Sequence, residues 1–253
     1  MNVIDYERIV PRPAYKVVSD AIEAKIAAGE LKVGDRLPTE ADLSSVLGVN
    51  RSTVREGIRL LEESGIVERR AGRRLFVVVP NTFDLAERTS LALQLARISF
   101  RELWEVMMVV EPLAAEMAAE RASDNDFRRM RAVVDATEAA AAVSPKSVLP
   151  NLDNEFHALV SEAAGNRFLE LHRGTINTLL RRANEVMMPL VPQSGRRLAV
   201  AHREILSSLE MRNSKRAAEW MRRHVADFKR GYELAGLGVN DPVPINTRGQ
   251  VQT

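Results

Sequence analysis

The sequence predicts a mainly α-helical chain in two domains: three helices and a β-hairpin over residues 1–80, then an antiparallel bundle of seven helices over 83–235. Three observations carry this. The stretch from Thr39 to Gly72 reads as helix, tight turn, helix and hairpin. Pro80-Asn81-Thr82 then interrupts the pattern, and everything beyond it repeats apolar residues at the helical period with no strand signal. With 253 residues and 45% hydrophobic content there is enough chain for two cores.

Residues 1–12 read as a loose arm. In the first helix Val17, Val18, Ala21, Ile22 and Ile26 make an apolar face, and Gly29 is placed to end it. GDRLPT (34–39) is a turn and a short extended piece, because Pro38 disfavours helix at Leu37. Thr39 and Asp42 are spaced as a capping pair for a second helix with Leu43, Val46 and Leu47 on one stripe, stopped by Gly48. A third helix starts from Asn50 or Ser52, either of which can cap. It buries Val54, Ile58 and Leu61, with Ile66 at its end, and closes at Gly65. IVERRAGRRLFVVV alternates as two strands around Ala71-Gly72.

The other face of the third helix carries Arg51, Arg55 and Arg59 one turn apart, with Asn50, Ser52 and Thr53 at its N-terminus. Donors at a helix N-terminus suit phosphates and base edges in a major groove. An arginine row alone is as readily a solvated face; the preceding helix and tight turn favour DNA reading. Arg69, Arg70, Arg73 and Arg74 cluster at the hairpin, where they would reach phosphates or a minor groove.

The formal net charge is only +2, from 36 basic and 34 acidic side chains, so any basic surface is local. The absence of cysteine excludes disulfides and thiolate metal sites, leaving His, Asp and Glu as the strong ligands. No stretch approaches the roughly 18 continuous apolar residues that span a bilayer. The expectation is a soluble, cytoplasmic protein with no membrane partner.

The bundle helices are expected at about 83–97, 100–121, 124–143, 150–163, 166–187, 194–212 and 214–235, divided by breaks such as Ser144-Pro145 and Asn213-Ser214. Residues 236–253, rich in Gly, Pro and polar side chains, read as a tail that is disordered or packed on a neighbour. Within the bundle, Asp153 and His157 lie four residues apart and share a helix face. His202 stands 11 residues before Asn213 and His224 stands 11 after it, so two antiparallel helices turning there would bring both imidazoles to one level. One carboxylate and three imidazoles suit Zn²⁺, Ni²⁺ or Mn²⁺, with coordination positions left for water or an oxygen ligand. The plainer account makes each histidine a hydrogen-bonded core residue and Asp153 a cap or a partner of Arg181 or Arg182. Arg181 is the candidate for neutralising a bound carboxylate. His172 fits no part of this pattern.

Taken in order, the first helix, LPTEADLSSVLGVNRSTVREGIRLLEESGIVERR and the hairpin resemble the winged helix-turn-helix of the GntR family of bacterial transcription regulators. AERTSLALQLARISF followed by FRELWEVMMVVEPLAAEMAAERAS resembles the FCD ligand-binding domain of that family's FadR-type branch. The resemblance implies DNA contacts from Arg51, Ser52, Thr53, Arg55 and Gly72, to which Asn50, Arg36 and Arg73 are added as neighbours. It implies a metal, Zn²⁺ above all, on DNEFH (153–157), AHREI (201–205) and MRRHV (221–225), hence Asp153, His157, His202 and His224. Three positions depart from the pattern: Ala41 stands where some relatives have a base-reading arginine, Arg74 where glycine is usual, and Met107 where many carry an arginine. The expected function is non-enzymatic: a homodimeric, metal-containing repressor that binds double-stranded operator DNA and responds to a small organic or sugar acid. A metal-dependent hydrolase, or a DNA-binding protein with a purely structural metal, are the competing readings.

Overall fold

The computed structural model describes residues 12–70, 74–143 and 147–244. The rest of the expected arm, the wing residues Gly72 and Arg73, the break at Ser144-Pro145 and the tail beyond Pro244 lie outside them. The chain divides into two compact units between Asn81 and Thr82.

The first unit is set by its caps. Helix α1 (Ala14–Ala27) leads to α2 (Glu40–Leu47), where the Thr39 hydroxyl accepts from the Asp42 amide and the Asp42 carboxylate accepts from Thr39 N. Gly48, with φ of 66°, takes the left-handed position that ends α2. Asn50 then caps α3 (Arg51–Ser64), which Gly65 closes in the same way with φ of 77°. Strands β1 (Val67–Arg70) and β2 (Arg74–Val77) pair antiparallel with Val67 opposite Val77 and Arg70 opposite Arg74. The extended piece before α2 joins them, since Leu37 N donates to Leu75 O and Val77 N to Asp35 O.

Val18, Ile22, Leu43, Val54, Ile58, Leu61 and the inward residues of the hairpin form this unit's core. Val17 and Val46, expected on apolar stripes, are exposed instead, because α1 and α2 each rest on α3 along a narrower face. Gly57 lets α1 approach α3: a Cβ there would lie 2.8 Å from both Tyr15 O and Val18 Cγ1. Alanine would gain about 1 kcal/mol in helix propensity but must push a backbone carbonyl aside at an overpacking cost of about 1–3 kcal/mol, so Gly57→Ala is expected to destabilise this unit by a net of up to about 2 kcal/mol. Urea unfolding followed in that unit checks this, and a stabilised variant would show that the seam yields.

The second unit is the expected bundle: α4 (Thr82–Leu95), α5 (Phe100–Arg121), α6 (Asp124–Ala141), α7 (Leu149–Ala163), α8 (Arg167–Met187), α9 (Ser194–Glu210) and α10 (Ser214–Leu234). Ser99 and Ser123 cap α5 and α6 through capping boxes with Glu102 and Asp126. α5 packs on α10 and α7; α7 also meets α6 and α8, and α9 meets α6 and α10. The centre is filled by residues such as Phe100, Met107, Met130, Phe156, Leu179 and Ile205. Along the α4–α8 seam Gly174 gives the close approach, for a Cβ there would stand 2.8 Å from the Ala86 Cβ.

The tail departs from expectation over its described part. Val243 is buried, Leu237 and Val239 pack on the core, and Val239 O, Asp241 O and the Asn240 side chain accept from Arg101 N, Phe100 N and Arg101 Nε. The first amides of a helix have no partner within it. The tail supplies those acceptors to α5, so residues 236–244 are part of the bundle rather than disordered.

Candidate functional site

Asp153 and His157 project from α7 one turn apart, His202 from α9 and His224 from α10, and one ligand atom of each lies within 4.8 Å of all the others. Asp153 Oδ1 is 3.2 Å from His202 Nε2, 3.4 Å from His224 Nε2 and 3.6 Å from His157 Nε2. The equal arms about Asn213 do bring His202 and His224 together, with ring centroids 5.1 Å apart.

The electrostatics of the cluster favour a cation at its centre. Asp153, His157 and His202 are 3%, 1% and 0% exposed, yet Asp153 Oδ1 and His202 Nε2 satisfy no hydrogen bond despite facing one another. Buried polar atoms rarely stay unsatisfied, and a divalent ion among three nitrogens and one oxygen would satisfy both at once. Burial lowers the His202 pKa to about 3, helped by the neighbouring His224 and His157 and opposed by Asp153, so at neutral pH its imidazole carries a free lone pair. Burial alone would raise the Asp153 carboxyl, but the facing imidazoles of His202, His224 and His157 outweigh it and hold the group well below the usual range, as a carboxylate. The residues present fit a divalent metal, which would supply a Lewis-acid centre with positions open to an oxygen ligand.

A second layer orients these side chains. Glu111 of α5 accepts from His157 Nδ1 at 2.7 Å, leaving Nε2 to face the cluster, and is itself held by a buried ion pair with Arg173 of α8. Burial pushes the Glu111 pKa up, yet Arg173 and His157 together bring it below the ordinary value. Asn184 Nδ2 donates to Asp153 Oδ2 at 2.6 Å, turning Oδ1 inward, and Phe156 stacks on the His202 ring at 4.0 Å. Partners of this kind fix ligand tautomer and direction.

Beside the cluster is a cavity of about 40 Å³, lined by Asp153, His157, His224 and Asn184 and by apolar residues including Met107, Leu180 and Met187. A volume of that size would fit about three waters. Met107 is core, buried to 1%. Arg181 does not line this cavity. Leu180, Asn184 and Met187 face it from α8, and Arg181, about 100° around the helix from Leu180, pairs with Glu185 on its own helix at 2.6 Å. The arginine on the cavity wall is Arg197 of α9, in an ion pair with Asp227 of α10. Arg182 is not among the lining residues either, and His172 bonds Phe168 O within α8.

Sequence reasoning missed Glu111, Arg173, Asn184, Arg197 and Asp227. Glu111 left one signal, as a lone acid in the otherwise apolar run VMMVVEPLAA. Burying a carboxylate there demands a partner.

In the first unit Arg51, Ser52 and Arg55 are exposed at the start of α3 and Thr53 is half-buried. Asn50 Oδ1 is engaged as the cap, accepting from Thr53 N and from the Ser52 and Thr53 hydroxyls. Arg55 pairs with Glu40 at 3.1 Å, and Arg59 is held on its own helix by Glu56 and Glu63. Arg36, Arg55, Arg69 and Arg74 line one concave surface that also includes Ala41.

Residues 14–77 match the bacterial regulatory proteins of the gntR family, and residues 102–227 match the FCD domain. The chain belongs to the GntR family. Within that family the HTH-type transcriptional regulator LutR of Bacillus subtilis (strain 168) is 27% identical over 215 residues, covering 82% of this chain and 97% of that protein. The Glc operon transcriptional activator of Escherichia coli (strain K12) is 29% identical over 230 residues, 87% of this chain and 89% of that one. A solved structure, Streptococcus agalactiae GntR, superposes with a TM-score of 0.60 at 26% identity over 85% of this chain and 99% of its own. This GntR-family chain is thus a transcription regulator whose helical domain holds a buried Asp/His₃ group that could bind a metal. No helix among the described residues is long and apolar enough to cross a membrane.

Proposed function

We propose that the protein is a cytoplasmic, homodimeric repressor of the FadR-type branch that binds operator DNA through its winged helices and is released when a small organic or sugar acid binds at the metal of its helical domain. The observation that carries this is the pair of unsatisfied buried atoms, Asp153 Oδ1 and His202 Nε2, meeting among three imidazoles beside a cavity that borders a larger outer groove. Zn²⁺ is the metal proposed, with Ni²⁺ and Mn²⁺ accepted by the same donor set. Arg51, Ser52, Thr53 and Arg55, with Arg36 and the wing, are proposed to contact DNA. The exposed apolar stripe of Val106, Val109 and Leu113 on α5 supports a second copy of the chain.

Control follows from linkage: an acid that prefers one arrangement of the dimer favours it by its differential affinity and changes the spacing of the recognition helices. Both signs of control occur in the names of similar proteins, the Glc operon activator above and a mannosyl-D-glycerate system repressor of E. coli that is 41% identical over 80 residues. The test is a thermal-shift screen of organic and sugar acids on Zn²⁺-loaded protein, followed by gel shifts on its own upstream DNA. At least one acid is expected to raise the melting temperature and weaken the shifted band. Operator binding indifferent to every acid, in a protein that unfolds when Zn²⁺ is removed, would instead support a purely structural metal.

A further inference from the structure

The wall of the metal cavity carries one cation and, apart from Asp153, one carboxylate, and the two are paired with each other. Arg197 of α9 and Asp227 of α10 line both this cavity and a larger groove of about 560 Å³ outside it, and His224 borders both spaces. The ion pair and His224 therefore stand between the outer groove and the metal cluster.

We propose that Arg197 is the anchor for the carboxylate of the effector, and that Asp227 occupies that anchor until the effector arrives. This rests on the reading of the helical domain as an acid sensor and names the chemistry that it recognises.

Three observations support the exchange. The Arg197 and Asp227 side chains are 28% and 38% exposed, so solvent screens their attraction and the pair is inexpensive to open. Arg230, one turn beyond Asp227 on α10, adds positive potential at the same place; burial and Arg230 both lower the Arg197 pKa. The outer groove is lined by Arg196, Arg197 and Arg223, a basic approach that raises the local concentration of anions.

The spacing defines the ligand. Asp227 follows His224 by one helical turn on α10, and residues three apart on a helix have Cβ atoms about 5–6 Å apart. A short acid with a carboxylate at one end and a second oxygen donor a few carbons away is of the length that this spacing between Asp227 and His224 suits. With about 40 Å³ of cavity, larger chains would have to extend into the outer groove. A guanidinium bonds a carboxylate through two parallel N–H groups and gains much less from an amide.

The experiment uses the full-length, Zn²⁺-loaded protein, with calorimetric titration of malonate and succinate and of their monoamides, malonamate and succinamate. Wild type is expected to prefer at least one diacid over its monoamide by about tenfold or more, the effect of one charge-assisted pair. Arg197→Ala should remove that preference and Arg197→Lys restore part of it, while Asp227→Asn, freed of the resident carboxylate, should bind the same diacid several-fold more tightly. Zn²⁺ content and thermal unfolding, read for each variant, separate loss of the anchor from loss of the fold. An Arg197→Ala protein that holds Zn²⁺ and keeps the wild-type preference overturns the anchor and leaves the sensor reading intact. If wild type and Asp227→Asn both hold Zn²⁺ but neither binds malonate or succinate, the anchor is overturned, while the sensor reading stands or falls with the acid screen.

Discussion

Asp153→Ala is expected to abolish tight binding of divalent metal, lowering affinity by more than about 100-fold, beyond the roughly 10–100-fold that loss of an outer-layer partner costs. Asp153 is the one anionic group of the four, and its Oδ1 lies within 3.6 Å of all three facing imidazole nitrogens. Without it, three imidazoles must hold a dication with no charge compensation. A metal at 1,000 times its dissociation constant stabilises the folded protein by about 4 kcal/mol, or about 8–16 °C in a domain of this size. That thermal shift should vanish in Asp153→Ala. Glu111→Gln should keep part of it, because the amide can still bond His157 Nδ1 but no longer neutralises Arg173. Undiminished metal affinity in Asp153→Ala would remove the cluster from consideration as a metal site.

Arg55→Ala is expected to abolish specific operator binding while leaving fold and metal intact. One bidentate contact to a base is worth about 1–3 kcal/mol, and a dimer loses two, so the combined loss of about 2–6 kcal/mol is a fall of about 30-fold or more. In the absence of DNA, Arg55 leans on Glu40 from the neighbouring helix, a surface pair that is easily exchanged for a nucleic-acid partner. Arg59 is the internal control. It lies one turn further along the same face but is bracketed by Glu56 and Glu63 on its own helix, so Arg59→Ala should change operator affinity little. Competition assays against non-specific DNA measure both variants. Equal losses would mean that the helix binds only through bulk charge.

The four-residue site was legible because each of its parts is a local regularity: Asp153 and His157 one turn apart, and His202 and His224 at equal distances from a turn. The caps at Thr39 and Asn50 and the left-handed glycines at 48 and 65 were readable for the same reason, since their chemistry lies within four residues of the bond that they make. What escaped depends on rotation about a helix or on partners remote in sequence. Arg181 and Asn184 differ by less than one turn of α8, yet only Asn184 faces Asp153. Glu111 meets Arg173 across 62 residues and His157 across 46, contacts that only the packing of α5, α7 and α8 decides. The packing of residues 236–244 escaped because they supply backbone acceptors to α5, which side-chain composition does not reveal.

The hydrogen atom of Gly174 leaves the α4–α8 seam without slack. Its neighbour Arg173 is the residue that ties α8 to Glu111 and through it to His157. α4 begins at Thr82, directly after the last residue of the first unit. A helix that cannot slip past its neighbour behaves as a rod geared to it. A change in packing around Glu111 and Arg173 would therefore be felt in α4, the helix that Gly174 holds close.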